Sequence, residues 1–281
     1  MSDVTQGVAP TLLVGISNPA TVERLVQLAG GIVDTTGGEI LLTHVVTVAS
    51  QISLTTGRSS PEVIRARDFV QRVIAAASQS GINARGLVEV ARSVEDGLLA
   101  AAESHDADTI LVGYSDHETG GHVLDEERFD RTMHRVARKA HAAVVVAKLR
   151  RESYDRIAVP VASDTRLDLT RVLCRALADE GATAPTFLHV AGSDTSSAEA
   201  GRVVSSRLDE MGLLERGRLE VLSSDQVVDA LVDALSDYDL VILTPSDRPG
   251  LLDRVHSSRA ERIAEAVSAS AILAWGSKAE H

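Results

Sequence analysis

The chain has 281 residues, of which 44% are hydrophobic and 24% charged, enough for one large domain or two ordinary domains with a buried core. Only 2% of the residues are aromatic and the formal net charge is −12, a composition that excludes base stacking and attraction to nucleic acids or anionic membranes. No apolar run reaches the roughly 18 residues of a membrane span, and the first residues lack a signal peptide.

The single cysteine, Cys174, stands among apolar residues and has no partner for a disulfide within the chain. It is predicted to be a buried structural thiol. The absence of a disulfide framework favours a reducing compartment, so a cytoplasmic location is expected.

The first half of the chain alternates apolar runs with amphipathic segments. After a buried strand at 11–16, the sequence Ser17-Asn18-Pro19 predicts the start of a helix. The remaining predicted strands are 39–48, 86–90, 109–113 and 143–147, and the helices end near 33 or span 61–79, 93–104 and 132–140. Alternation of this kind predicts a parallel sheet covered by helices on both faces.

The second half repeats this order. Its predicted strands are 156–161, 185–190, 218–222, 240–243 and 271–274, and its helices are 164–179, 196–211, 225–235 and one near the end. Ser258 and Glu261 have the spacing of a capping box that starts this last helix. The loop before it follows a buried strand, where an open α/β sheet binds its ligand, and a helix start there offers N–H groups to an anion.

The two halves match residue for residue, which indicates a duplicated unit. Val14 pairs with Val159 and His44 with His189, each 145 residues apart. Near the end of each half Arg135 pairs with Arg262, 127 residues apart, because the second half has shorter connections after its second and fourth strands. The shared histidine favours a structural role over acid–base chemistry. Domains are therefore predicted at 8–150 and 154–277, joined by a charged linker near 149–154.

The strand endings LLTHVV (41–46) and FLHV (187–190), with the closing segment SSRAERIAEAVSASAILA, resemble the universal stress protein family in its tandem form. The resemblance implies two flavodoxin-like, Rossmann-like α/β/α domains, each with a five-stranded and mostly parallel sheet. Because that family usually pairs through its last strand, the two halves are expected to form a pseudo-dimer within one chain. A homodimer of the chain is a further candidate.

Nucleotide-binding members of the family carry Gly-x2-Gly-x9-Gly-Ser/Thr after the fourth strand and an acid after the first. In the second half Thr244 and Asp247 replace the first two glycines, while Ser257 and Ser258 stand at the end of the motif. By resemblance, Val190 would line the base pocket, and the backbone at the two serines would hold the phosphates of ATP or AMP.

The first half keeps Gly113 and, by resemblance, Val45 would line its base pocket. Asp116 replaces the second glycine, and Asp130 is expected at the start of the next helix, where its carboxylate would occupy the N–H groups that a phosphate needs. The acid after the first strand is replaced by Ser17 here, and by Ala162 in the second half, where Asp164 is placed to cap the following helix.

These substitutions favour a non-enzymatic regulatory or interaction module with degenerate nucleotide sites. Two alternatives stay open: an adenine-nucleotide sensor that uses the second half, and the regulatory partner of a membrane transporter or of another protein. The sequence lacks the common nucleophile and phosphate motifs, so no catalytic residue is assigned. His117 and His122 do not have the spacing of a structural zinc site, and no metal is expected.

Overall fold

A computed structural model describes residues 9–114, 126–151, 154–162, 165, 167–177, 184–192, 197–244 and 259–277, with only the backbone given for 126–131. The strands are β1 Thr11–Gly15, β2 Glu39–Thr47, β3 Ala84–Ala91, β4 Ala107–Gly113, β5 Ala143–Lys148, β6 Ile157–Pro160, β7 Thr186–Ala191, β8 Arg218–Ser223, β9 Leu240–Leu243 and β10 Ser270–Trp275. The helices are α1 Val22–Thr36, α2 Leu54–Gly57, α3 Pro61–Gln79, α4 Val94–Ser104, α5 Glu126–Lys139, α6 Leu167–Leu177, α7 Ser197–Glu210, α8 Val227–Leu235 and α9 Arg259–Ala266.

The strands form one ten-stranded sheet in the order β3-β2-β1-β4-β5-β10-β9-β6-β7-β8. Within each half all five strands are parallel, and the halves meet where β5 pairs with β10 in antiparallel fashion. The predicted tandem fold with pairing through the last strands is confirmed. The two sheets expected from the sequence are joined edge to edge into one.

The two faces of the sheet are packed differently. On one face a single apolar cluster runs through both halves, and α1 of the first half packs against α6 of the second. On the other face there are two clusters, one under α4 and α5 that also includes Trp275 of β10, and one under α8 and α9. The single cluster that runs through both halves therefore lies on the α1 and α6 side.

Each half fixes the start of its central strands in the same way. Asp108, just before the apolar part of β4, accepts a hydrogen bond of 2.8 Å from the backbone N–H of Thr11. Asp239, just before β9, accepts one of 3.1 Å from the backbone N–H of Arg156. Because Thr11 and Arg156 begin equivalent strands, this contact is part of the duplicated unit.

The linker between the halves is anchored along the ends of β10 and β9. The backbone N–H of Arg150 donates to the side chain of Ser270 at 2.9 Å, and the Arg150 guanidinium donates to the carbonyls of Ser268 and Ala269. Arg151 pairs with Asp239. The charged segment predicted as a simple connection is therefore held against the second half.

Two local predictions were wrong. The segment predicted as a polar loop between β2 and α3 contains the short helix α2, because Ser53 caps it by accepting from the backbone N–H of Thr56. Helix α5 begins at Glu126, six residues before the predicted start at Thr132. Asp130 thus lies inside this helix, so its proposed role as an anion at the helix start is corrected.

The remaining strands and helices lie within a few residues of their predicted bounds. Cys174 is confirmed as a buried free thiol on α6. Asp164, which was predicted to cap α6, lies outside the described residues.

Candidate functional site

The two candidate ligand sites lie at the carboxyl ends of the central strands, one site in each half. In the first half β1 and β4 are neighbours, yet α1 follows β1 onto one face and α5 follows β4 onto the other, which opens a crevice at the carboxyl ends of these strands. Strands β6 and β9 form the equivalent crevice in the second half. Since β5 and β10 are antiparallel, the two crevices face away from each other.

An equivalent histidine lies beside each crevice. The Nδ1–H of His44 donates to the carbonyl of Ile16 at 2.8 Å, and that of His189 donates to the carbonyl of Val161, also at 2.8 Å. Each bond ties β2 or β7 to the end of the neighbouring first strand. Burial lowers the pKa of His44, although the bond to Ile16 acts in the opposite direction. The neutral ring then serves as a structural donor, which agrees with the role predicted from its repetition.

Gly113 lies at the end of β4 beneath helix α1. A Cβ added to it would stand 3.2 Å from the Cδ2 atom of Leu25, which is buried on α1. The side chain of Leu25 thus covers the glycine from the helix side. The fourth strand of the first half keeps the small residue that the family motif requires.

Thr244, at the equivalent position after β9, is buried, and its hydroxyl forms a 2.8 Å hydrogen bond with the hydroxyl of Thr170 on α6. Thr170 stands 145 residues after Leu25, so the same two positions meet in both halves. The side chain of Thr244 is therefore turned into the protein, toward a helix. Its contact with a ligand stays a prediction.

Asn18 at the end of β1 was noted in the sequence only as a helix-start signal. Its side-chain carbonyl accepts from the backbone N–H of Ala20 at 2.9 Å, and its backbone carbonyl accepts from Val22, so it stabilises the turn that leads into α1. The other side-chain atom, Nδ2, is buried and has no hydrogen-bond partner among the described residues. A buried donor left in this state costs about 1–3 kcal/mol, which a bound acceptor would offset.

The two valines predicted to line base pockets lie at equivalent, half-buried positions near the ends of β2 and β7. Val45 packs beneath α4, where a Cβ on Gly97 would overlap its side chain. Val190 packs against the apolar cluster under α8 and α9. Both therefore lie on the sheet face that carries α5 or α9, and their contact with a base stays a prediction.

Several predicted site residues lie outside the described residues. Ser257, Ser258 and Asp247 belong to the segment 245–258, and Asp116 belongs to 115–125. His117 and His122 belong to the latter segment as well. Among the residues that are described, no group of three or more His, Cys, Asp and Glu could hold a metal ion.

One cation near the first crevice was missed from the sequence. The amino group of Lys148, at the end of β5, lies 4.6 Å from the centre of the Tyr114 ring, and Tyr114 follows Gly113 directly. The ring is buried. The adjacency of β4 and β5 brings the two side chains together, a contact that follows from the sheet order and from no local motif.

The family of the first half follows from comparison with known proteins. A model described as the universal stress protein family matches residues 10–148. By its first half the chain belongs to the universal stress protein family, and its second half repeats the same order of strands and helices. No curated protein sequence matches the chain significantly.

Solved structures extend the likeness to nearly the whole chain. A universal stress protein from Archaeoglobus fulgidus DSM 4304 is 13% identical with a TM-score of 0.62, covering 97% of this chain and 98% of its own. A functionally unknown protein from Pseudomonas aeruginosa PAO1 is 14% identical with a TM-score of 0.61, covering 95% and 93%. At this identity the likeness establishes the tandem fold.

A universal stress protein from Archaeoglobus fulgidus in complex with dAMP matches 49% of this chain and 96% of its own, at 18% identity and a TM-score of 0.37. That level of similarity does not extend to individual side chains.

In the part of the chain that is described, no helix is both long enough and apolar enough to cross a membrane.

Proposed function

We propose that this chain is a non-enzymatic, tandem regulatory module of the universal stress protein family in which both nucleotide sites are degenerate. One observation carries the proposal: the buried hydroxyl pair of Thr170 and Thr244 stands where nucleotide-binding members have a glycine. A glycine lets the backbone approach a phosphate closely, whereas this threonine is bonded to a helix. The domain limits 8–150 and 154–277 and a cytoplasmic location are part of the proposal.

Electrostatics support the same view. The chain carries a net charge of −12, and the stretch 116–127 after β4 contains five acidic residues and no Lys or Arg: Asp116, Glu118, Asp125, Glu126 and Glu127. A triphosphate entering this region would meet charge of its own sign. We therefore expect weak binding of ATP in the first half and in the second.

An adenine-nucleotide sensor is the second candidate, and Asn18 favours it. The buried Nδ2 donor lies at the end of β1, beside the first crevice, and has no partner among the described residues. A ligand that presents an acceptor atom there would satisfy it. This moves the better candidate for a ligand to the first half, whereas the sequence favoured the second. A transporter or another protein as partner stays a prediction from the resemblance.

Calorimetric titration of the full chain with ATP, AMP and a cyclic dinucleotide separates the two candidates. A degenerate module should give no saturable heat at micromolar ligand. Saturable binding would overturn the first proposal, and two matched variants then locate it. Asn18→Leu should abolish binding in the first half, whereas Ser257→Phe should abolish binding in the second.

A further inference from the structure

At the junction of the two halves, equivalent residues meet each other. Val146 of β5 lies opposite Leu273 of β10, and these residues are 127 positions apart. On one face of the sheet the Nε2 atom of His134 lies 3.1 Å from the Oε1 atom of Glu261, again 127 positions later. A residue meets its own equivalent only on a two-fold axis, so the pseudo-two-fold axis passes through both contacts.

The axis leaves the opposite face between α1 and α6. A Cβ added to Gly31 would overlap the carbonyl oxygen of Ala176, which stands at the equivalent position 145 residues later. The close approach of the two helices thus requires glycine on the α1 side. Two alanines facing each other at this spacing would collide with the opposing backbone.

The polar contact on the axis is also made of unlike residues. Glu261 is 8% exposed, and the His134 side chain that faces it is 30% exposed. In a pairing of two second halves, two Glu261 carboxylates would face each other in this buried place. Like charges brought together without water are strongly unfavourable.

We propose that His134 with Glu261 and Gly31 with Ala176 determine the specificity of the junction, so that the second half pairs with the unlike first half and not with a second copy of itself. The anchored linker acts in the same direction, since Arg150 and Arg151 hold the second half beside the first. The surface used for pairing is thereby closed to other copies of this chain. Any association between chains uses a different surface.

An exchange of His134 and Glu261 tests the proposal in the full chain. His134→Glu places two carboxylates on the axis, Glu261→His places two imidazoles there, and the double variant restores one of each. Each single variant should lower the melting temperature by about 5 °C or more, and the double variant should regain at least half of the summed loss. Glu265→His, at an exposed site on the same helix, should change it by less than about 1 °C.

A second variant keeps the test independent of folding defects at Glu261. His134→Lys places a donor opposite the carboxylate, so its melting temperature should stay within about 2 °C of the wild type. A loss as large as that of His134→Glu would overturn the proposal, as would a double variant that melts no higher than the sum of the single losses predicts.

Sedimentation equilibrium of the wild type and of His134→Glu gives the chain mass. A wild-type mass of one chain supports the proposal, and so does a dimer that survives His134→Glu, because it uses another surface. A wild-type dimer that His134→Glu dissociates would show that the junction is open to a second copy, and the proposal would be wrong.

Discussion

The two halves fill the same position between the end of the fourth strand and the first helix in different ways. In the first half Leu25 covers Gly113 through an apolar contact, whereas in the second half Thr170 and Thr244 share a buried hydrogen bond of 2.8 Å. The strand residue and the helix residue have changed together. The threonine that replaces the motif glycine in the second half is therefore one of two replacements that fit each other in the packing.

The two crevices also differ in the residues that stand at the strand end. Where glycine and leucine meet, the strand end carries no side chain of its own. Where two threonines meet, the strand end is tied to a helix by side chains. The first half has Gly113 at the strand end, and the Nδ2 donor of Asn18 has no partner within the described part of the chain.

Introducing the threonine pair of the second half at the equivalent positions of the first half should have the largest effect. Leu25→Thr removes a side chain that is 3% exposed and should lower the free energy of unfolding by about 2–5 kcal/mol, because it leaves a cavity and a buried hydroxyl. Adding Gly113→Thr should recover about 1 kcal/mol by supplying the hydroxyl partner. Urea unfolding of the full chain measures both values.

Gly113→Thr alone serves as the control for this experiment. Its Cβ would lie only 3.2 Å from the Cδ2 atom of Leu25, so Gly113→Thr should destabilise the chain while Leu25 is present. If the double variant proves no more stable than Leu25→Thr, the two positions act independently, and the idea of a coupled exchange is contradicted.

Breaking the hydroxyl pair in the second half should have a smaller effect. Thr170→Val keeps the shape but removes the bond to the buried hydroxyl of Thr244, at a cost of about 1–3 kcal/mol in the free energy of unfolding. The double variant Thr170→Val/Thr244→Val should lie within about 1 kcal/mol of the wild type, since neither hydroxyl is then left behind. Thr47→Val, at an exposed position on β2, is the matched control and should be nearly neutral.

Equal losses from the double variant and from Thr170→Val alone would argue against the pair. In that case the other contacts of Thr170 on α6, and not its bond to Thr244, would account for the effect. The comparison between the halves would then rest on Gly113 alone.

The sequence was sufficient for the order of the elements and for the duplication. Apolar runs and the repeat at 145 residues predicted nine strands and helices in each unit, because these signals are local or periodic. The histidine contacts to Ile16 and Val161 could be anticipated as structural from their repetition alone.

The contacts that differentiate the halves could not be predicted in this way. Thr170 and Thr244 are 74 positions apart, and His134 and Glu261 are 127 apart, so their meeting depends on side-chain directions and on the sheet order. The Nδ2 atom of Asn18, which lacks a partner among the described residues, depends on burial and on which amide atom accepts from Ala20. None of these has a sequence signal.

The smallest predicted effect concerns Cys174, whose equivalent in the first half is the fully buried Ala29. Cys174→Ala reproduces the first half and should cost about 1 kcal/mol or less in the free energy of unfolding near neutral pH. Burial raises the pKa of the Cys174 thiol to about 12, so the folded chain keeps the proton above pH 9 while the unfolded chain loses it. The thiol's contribution to stability is therefore full below pH 9 and is lost as the pH rises toward 12.

The gap between wild type and Cys174→Ala should accordingly shrink above pH 9, by at most about 1.4 kcal/mol per pH unit. Urea unfolding of both proteins at pH 7.5, 9 and 10 measures this change, and a disulfide reagent should label Cys174 only in the unfolded chain. A gap that stays constant over this range, or rapid labelling of the folded protein, would mean that the thiol reaches solvent. In that case position 174 is not the buried counterpart of Ala29, and the two helices α1 and α6 pack less alike than their spacing indicates.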